Sequence, residues 1–101
     1  MPNDAHQYVF DPGIAFEDVE ASLLLAIFAA ESLHGEAQVR LDVAHAVDSD
    51  HRTCLIDAST EVGRDLNRLF VGFVLREFGP ECFAVQRVDR SAVRQPQEVQ
   101  G

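Results

Sequence analysis

Residues 21–30 constrain this chain most, because nearly every side chain in them is apolar. At 100° per residue, a helix through this stretch leaves Leu24, Leu25 and Phe28 outside its main apolar face, among acidic residues. A surface helix normally has one apolar stripe, and a helix that is apolar nearly all round is buried on more than one side. We therefore expect a second surface to cover these three residues. The main apolar face contains Phe16, Val19, Leu23, Ala26, Ile27, Ala30 and Leu33.

The composition is that of one small, acidic globular domain. With 101 residues, of which 47% are hydrophobic, the chain can form one modest core. Its net charge is −9, and all 8 of its basic residues are arginines. Such a charge repels the phosphates of nucleic acids and of acidic membrane leaflets, so we expect neither as a partner.

The sequence contains no clear targeting, cofactor or metal motif. Cys54 and Cys82 have neither a metal-binding spacing nor the pattern of a disulfide framework, and we expect no bond between them. Met1 is followed by polar residues, which predicts no signal peptide, and the apolar run 23–30 is too short to span a bilayer. We expect a cytoplasmic location, no cofactor and no metal ion.

Periodicity and turn residues predict two helices and four strands. The first helix is expected over about 15–33, before Gly35, and the second over about 62–78, before Gly79. Alternating apolar residues predict that the second strand lies within 38–47, before a polar turn. The other predicted strands are 6–10, 53–58 and 82–88.

The predicted element order is β-α-β-β-α-β. This is the order of the ferredoxin-like, split-βαβ fold, an α+β two-layer sandwich with two helices on one face of a four-stranded antiparallel sheet. We expect a single domain over residues 5–89, with disordered segments at 1–4 and in the polar tail 90–101. The resemblance concerns topology alone, and a topology does not define a function.

The second helix is also apolar over more than half of its circumference. The surplus of apolar helix surface predicts an interaction or oligomerisation module that binds a protein partner through its helical layer, most simply as a homodimer. In one alternative, the C-terminal tail or the first strand covers this surface. In another, the open face of the sheet forms the dimer interface. The candidate interface residues are Leu24, Leu25, Phe28, Val71, Leu75 and Phe78.

Segment 57–65 joins a strand end to a helix start, and it is the most site-like part of the chain. Free amides at a helix N-terminus attract anions, and hydroxyls, a glycine and an arginine there could hold a phosphate or carboxylate. This interpretation predicts a regulatory domain that binds a small anionic ligand. The structural alternative is a capping hydroxyl with ion pairs inside the helix. The candidate ligand-binding residues are Asp57, Ser59, Thr60, Gly63 and Arg64.

No residue is assigned as catalytic from the sequence. His45 has the strand phase of the neighbouring valines, which is typical of a hydrogen-bonded core or interface histidine. Cys54 and Asp57 are expected on opposite faces of one strand, so they do not form a nucleophile–base pair. No two histidines have a helical or strand spacing that suits zinc. A small oligomeric enzyme that uses His45 or Asp57 at a subunit interface is the remaining alternative.

Overall fold

A four-stranded antiparallel sheet and three α-helices make up the α+β fold of the computed structural model, which describes residues 4–89. A short 3₁₀ turn, Pro80–Cys82, precedes the last strand. The elements in chain order are β1 (Asp4–Phe10), α1 (Phe16–His34), α2 (Glu36–Asp42), β2 (His45–Asp48), β3 (Thr53–Asp57), α3 (Glu61–Phe78) and β4 (Phe83–Asp89).

The strands lie in the order β2-β3-β1-β4, and every neighbouring pair is antiparallel. Tyr8 is opposite Cys54 of β3 and Val85 of β4, so these three residues share one face of the sheet. Side chains alternate along a strand, which places Gln7 and Val9 on the other face. The helices cover the face that carries Tyr8.

Aromatic side chains occupy the centre of the core. Phe70 of α3 makes edge-to-face contacts with Tyr8 and Phe10 of β1, with ring centroids 5.3 and 6.3 Å apart. The Tyr8 hydroxyl donates a hydrogen bond to the Asn67 carboxamide oxygen, and burial raises the pKa of Tyr8 to about 12. The phenol therefore stays protonated and acts as a structural donor.

Both long helices begin and end within one residue of their predicted bounds. Each ends at a glycine with positive φ, 90° at Gly35 and 88° at Gly79. The amide of each glycine donates to the carbonyl four residues earlier, at 2.8 and 3.0 Å. Residues other than glycine are strained at such angles, so these two positions let the chain turn sharply after α1 and α3.

The prediction of a strand within 38–47 and of only two helices is wrong. Residues Glu36–Asp42 form α2, and only His45–Asp48 form a strand. Val39 is 4% exposed and belongs to the core, whereas Leu41 is 78% exposed. Three alternating apolar residues fit a short helix as well as a strand, and tertiary packing of the buried valine decides between them.

Two exposed hydrogen bonds between residues i and i+4 also favour α2. The Arg40 guanidinium donates to the Glu36 carboxylate, and the Gln38 amide donates to the Asp42 carboxylate, both at 2.6 Å. Such pairs stabilise a helix by about 0.2–0.5 kcal/mol each and are impossible between residues four apart in a strand.

Arg52 ties the β2–β3 hairpin to the start of α1. Its guanidinium donates to the backbone carbonyls of Phe10, Asp11 and Ile14, and it lies 5.8 Å from the centre of the Phe16 ring. The arginine itself has a positive φ of 57°. These bonds fix the loop that follows β1.

The predicted disorder of 1–4 and 90–101 lies outside the described residues, except that Asp4 begins β1. The single domain over 5–89 stays a prediction. Within the described residues, one core cluster joins the sheet to all three α-helices.

Val39→Ala and Leu41→Ala test the helical assignment of residues 36–42. We expect Val39→Ala to lower the free energy of unfolding by about 1–3 kcal/mol, because it opens a cavity. Leu41→Ala should change it by less than about 0.5 kcal/mol, because that side chain is exposed. Urea denaturation measures both. Equal losses would instead indicate a strand in which the two residues share a buried face.

Candidate functional site

The sequence predicts an anion site in the turn between β3 and α3. In the structure, polar groups of this turn hydrogen-bond to neighbouring parts of the protein. The fully buried Asp57 accepts a hydrogen bond from the Ser59 amide at 2.9 Å. The Thr60 hydroxyl accepts from the Gly63 amide and donates to the Asp42 carbonyl, both at 2.9 Å. Thr60 is therefore the N-cap of α3, and its side chain also fastens α2 to the turn.

Gly63 makes the close backbone approach that its place in the sequence suggests, but toward the protein itself. A Cβ atom at this position would lie 2.2 Å from the Asp57 carbonyl oxygen. The first turn of α3 can therefore pack against the end of β3 only if residue 63 has no side chain.

Arg64 is exposed and lines a groove between α3 and the sheet. The groove has a volume of about 180 Å³, and its other lining residues are His6, Ala58, Asn67 and Arg68. Of the candidate ligand-binding residues, Arg64 alone lines it. Sequence reasoning missed His6, Asn67 and Arg68. The i,i+4 spacing of Arg64 and Arg68 was the local signal in the sequence that could have indicated this groove. His6 lies far away in the sequence, and only the pairing of β1 with β3 brings it beside the two arginines.

Leu24, Leu25 and Phe28 lie on the side of α1 opposite the sheet. They are 50%, 57% and 53% exposed, whereas Val19 and Ala26 on the inner side of the same helix are fully buried. Phe28 is four positions after Leu24 and three after Leu25, so its side chain is a neighbour of both on the helix surface. We call these three residues the α1 outer patch.

The three candidate interface residues of α3 form a separate group. Val71 and Phe78 are half-buried against the core, and Leu75 is 40% exposed. They lie on the side of α3 toward Asn67. The opposite side of α3 faces α1, where Asp65 accepts a hydrogen bond of 2.8 Å from the His34 ring. The six predicted interface residues therefore do not form one continuous patch.

His45 and Asp57 lie on opposite faces of the sheet. His45 is opposite Ile56, so it faces the helices, whereas Asp57 is the next residue along β3 and faces away. His45 is exposed on the edge strand β2, but partial desolvation of its ring lowers the pKa of that ring. The two residues that the enzyme alternative invokes therefore do not share a cleft.

Cys54 is a buried core residue. Burial raises the pKa of its thiol to about 12, with a smaller contribution from the charge of Glu20. The thiol stays protonated at neutral pH, and a protonated thiol is a poor nucleophile. Cys82 donates a hydrogen bond to the Phe78 carbonyl, and both cysteines are free.

Asp48 organises the tip of the β2–β3 hairpin. One carboxylate oxygen accepts from the amides of Asp50 and His51, at 3.1 and 3.3 Å, and the other lies 2.7 Å from the His51 ring. The hydrogen bond with Asp48 raises the pKa of His51, and the same bond lowers the pKa of Asp48.

Within residues 4–89, no three His, Cys, Asp or Glu side chains cluster in a way that could hold a metal ion. No helix in that part of the chain is long and apolar enough to cross a membrane. Comparison with models of protein families, with curated proteins and with solved structures found no match to this chain.

Gly63→Ala and Gly72→Ala test the close approach of α3 to β3. Gly63→Ala should lower the free energy of unfolding by about 1–3 kcal/mol, because backbone must move to admit the methyl group. Gly72 lies in the same helix, and a Cβ there would meet no atom of the described residues within 4 Å. At that position, alanine should raise stability by about 0.5–1 kcal/mol through its helix propensity. Thermal or urea unfolding measures both, and a neutral Gly63→Ala would contradict the contact.

The pKa values of His45 and His51 should lie on opposite sides of the ordinary histidine value of 6.5. His51 should titrate above that value, so its pairing stabilises the fold below it and is lost as the pH rises through the folded pKa. His45 should titrate below 6.5, so its contribution is lost as the pH falls through that region. NMR titration reads both, and Asp48→Asn should return only His51 toward its ordinary value.

Proposed function

We propose that this domain is a protein–protein interaction module that associates with a second copy of itself through the α1 outer patch. The exposure of Leu24, Leu25 and Phe28 in the middle of a helix carries the proposal. Scattered exposed apolar residues are ordinary on protein surfaces, but adjoining ones on one helix face are typical of an interaction surface.

The energy available from the α1 outer patch favours a weak complex. Complete burial of a Leu or Phe contributes about 1.5–3 kcal/mol, and each of these side chains is already half-covered. Covering the remainder contributes about 2–5 kcal/mol per copy, or about 4–10 kcal/mol in a symmetric pair. Association costs about 4–15 kcal/mol. The gain exceeds the cost by at most about 6 kcal/mol, so we expect weak self-association with a dissociation constant between about tens of micromolar and millimolar.

A second copy is the occupant that we favour, because one twofold axis lets the same patch cover itself. The charged residues beside the patch are acidic, with Glu17 and Asp18 in the first turn of α1. An antiparallel crossing of the two α1 helices keeps these acidic turns apart. The net charge of −9 on each copy still opposes association, so salt should strengthen it.

We also propose that the fold is a ferredoxin-like, split-βαβ arrangement to which α2 has been added. Read from its other edge, the strand order is 4-1-3-2, and this order supports the assignment. The helical layer of such a sandwich is available to a partner on the side opposite the sheet. This is the side on which the α1 outer patch lies.

The double variant Leu25→Gln/Phe28→Gln tests self-association. Glutamine keeps the charge unchanged and is a good helix former, so the fold should be retained. In sedimentation between about 10 μM and about 1 mM, the natural chain should show a rising mass and the variant should remain a monomer. Leu41→Gln is the matched control, because that leucine is more exposed but lies on α2. It should associate like the natural chain.

Salt and circular dichroism separate this interpretation from others. Sodium chloride at about 0.5 M should strengthen association by screening like charges. A natural chain that remains monomeric at 1 mM in high salt would refute self-association. Loss of helical signal in the glutamine variant would show instead that the patch supports the monomer, which would also contradict the proposal.

A further inference from the structure

The groove beside α3 gathers hydrogen-bond donors in a protein whose net charge is strongly negative. Arg64 and Arg68 line it from α3, together with Asn67, and His6 lines it from β1. Arg87 is opposite His6 on β4 and shares its face of the sheet. Three of the eight basic residues of the chain therefore lie in or beside one small groove.

The two lining arginines are like charges one helical turn apart. Such an i,i+4 pair destabilises a helix in the absence of a compensating anion. Arg68 donates to the Asp65 carboxylate at 3.2 Å, and Arg64 lies 3.5 Å from the Ser59 carbonyl oxygen. The Asp65 carboxylate is thus the one acidic group hydrogen-bonded to these two arginines among the described residues, and it also accepts a hydrogen bond from His34. A bound anion would balance the single positive charge that remains.

The other polar groups of the groove also favour an anion. The Asn67 carboxamide oxygen accepts the Tyr8 hydroxyl, so the carboxamide nitrogen is left as the group with protons to donate. The Nδ1 atom of His6 is buried without a hydrogen-bond partner among the described residues. The His6 ring therefore has unused hydrogen-bonding capacity beside the groove.

Strand alternation assigns the nearest buried carboxylate, that of Asp57, to the other face of the sheet. Asp57 immediately precedes the lining residue Ala58, but it is opposite Ala5 on the face of the sheet away from the helices. Its carboxylate accepts from the Ser59 amide. The groove therefore has arginine forks and the Asn67 carboxamide on its walls, a combination that matches the oxygen atoms of a phosphate group.

We propose that this groove binds the phosphate group of a small molecule, held by Arg64 and Arg68 and oriented by Asn67 and His6. A volume of about 180 Å³ is below the range of about 300–1,000 Å³ that is typical of whole organic ligands. The groove thus recognises a phosphate group and leaves the remainder of a ligand in solvent. The site is independent of the α1 outer patch, which is on another helix.

Titration with inorganic phosphate and with glycerol phosphate tests the site and separates its two sources of ligand. Each is followed by calorimetry and by the ¹⁵N chemical shifts of the His6 ring, against sodium chloride at equal ionic strength. We expect saturable binding of at least one probe, with a shift at His6. Tighter binding of glycerol phosphate identifies a phosphomonoester, and equal binding identifies free phosphate. No saturable binding of either, or equal binding of succinate, would overturn the proposal.

Arginine variants locate the binding. Arg64→Gln and Arg68→Gln should each weaken phosphate binding by about tenfold, because each removes a charge-assisted hydrogen bond. Arg76→Gln is the matched control, since this exposed arginine lies two turns further along α3 and does not line the groove. Equal weakening in all three would indicate a general charge effect and would refute the site. In about 0.5 M sodium chloride, which screens the added net charge, the arginine variants should leave self-association unchanged, so the two proposals can fail separately.

Discussion

Antiparallel pairing on both edges of β1 holds the described chain together. β1 bonds to β3 on one side and to β4 on the other, so it connects the β2–β3 hairpin to the last strand. The same strand delivers Tyr8 and Phe10 to the ring of Phe70, which fixes α3 over the sheet. His6 reaches the groove only through this pairing. Core packing and the polar groove therefore depend on one seven-residue strand.

Local pattern was sufficient for the two long helices and failed where packing decides the structure. α1 and α3 have many apolar residues in a 3.6-residue period, and a glycine ends each of them, so their bounds could be predicted. Residues 36–42 have three alternating apolar side chains, which fit either period. The burial of Val39 in the core favours the helix, and the local sequence does not contain that information. The i,i+4 pairs Glu36–Arg40 and Gln38–Asp42 were local signals for a helix that the sequence interpretation did not use.

The candidate surfaces differ in the same way. The exposure of Leu24, Leu25 and Phe28 follows from helix phase within a single element, so it could be derived from the sequence. The groove depends on His6 together with Arg64 and Asn67. His6 lies about 60 residues before the other two and meets them only in the folded chain. His45 was expected among the apolar residues of a long strand. Because most of that strand is α2, the histidine lies on a four-residue edge strand and is exposed.

The break at Gly35 determines where the chain goes after α1. With ordinary helical angles at this position, residues 16–42 would form one continuous rod of about 40 Å. The longest dimension of residues 4–89 is 36 Å, so such a rod would extend beyond this part of the chain. Val39 would leave the core, and the β2–β3 hairpin could no longer reach the edge of β1. The positive φ of Gly35 thus turns the chain back from the end of α1 toward the sheet.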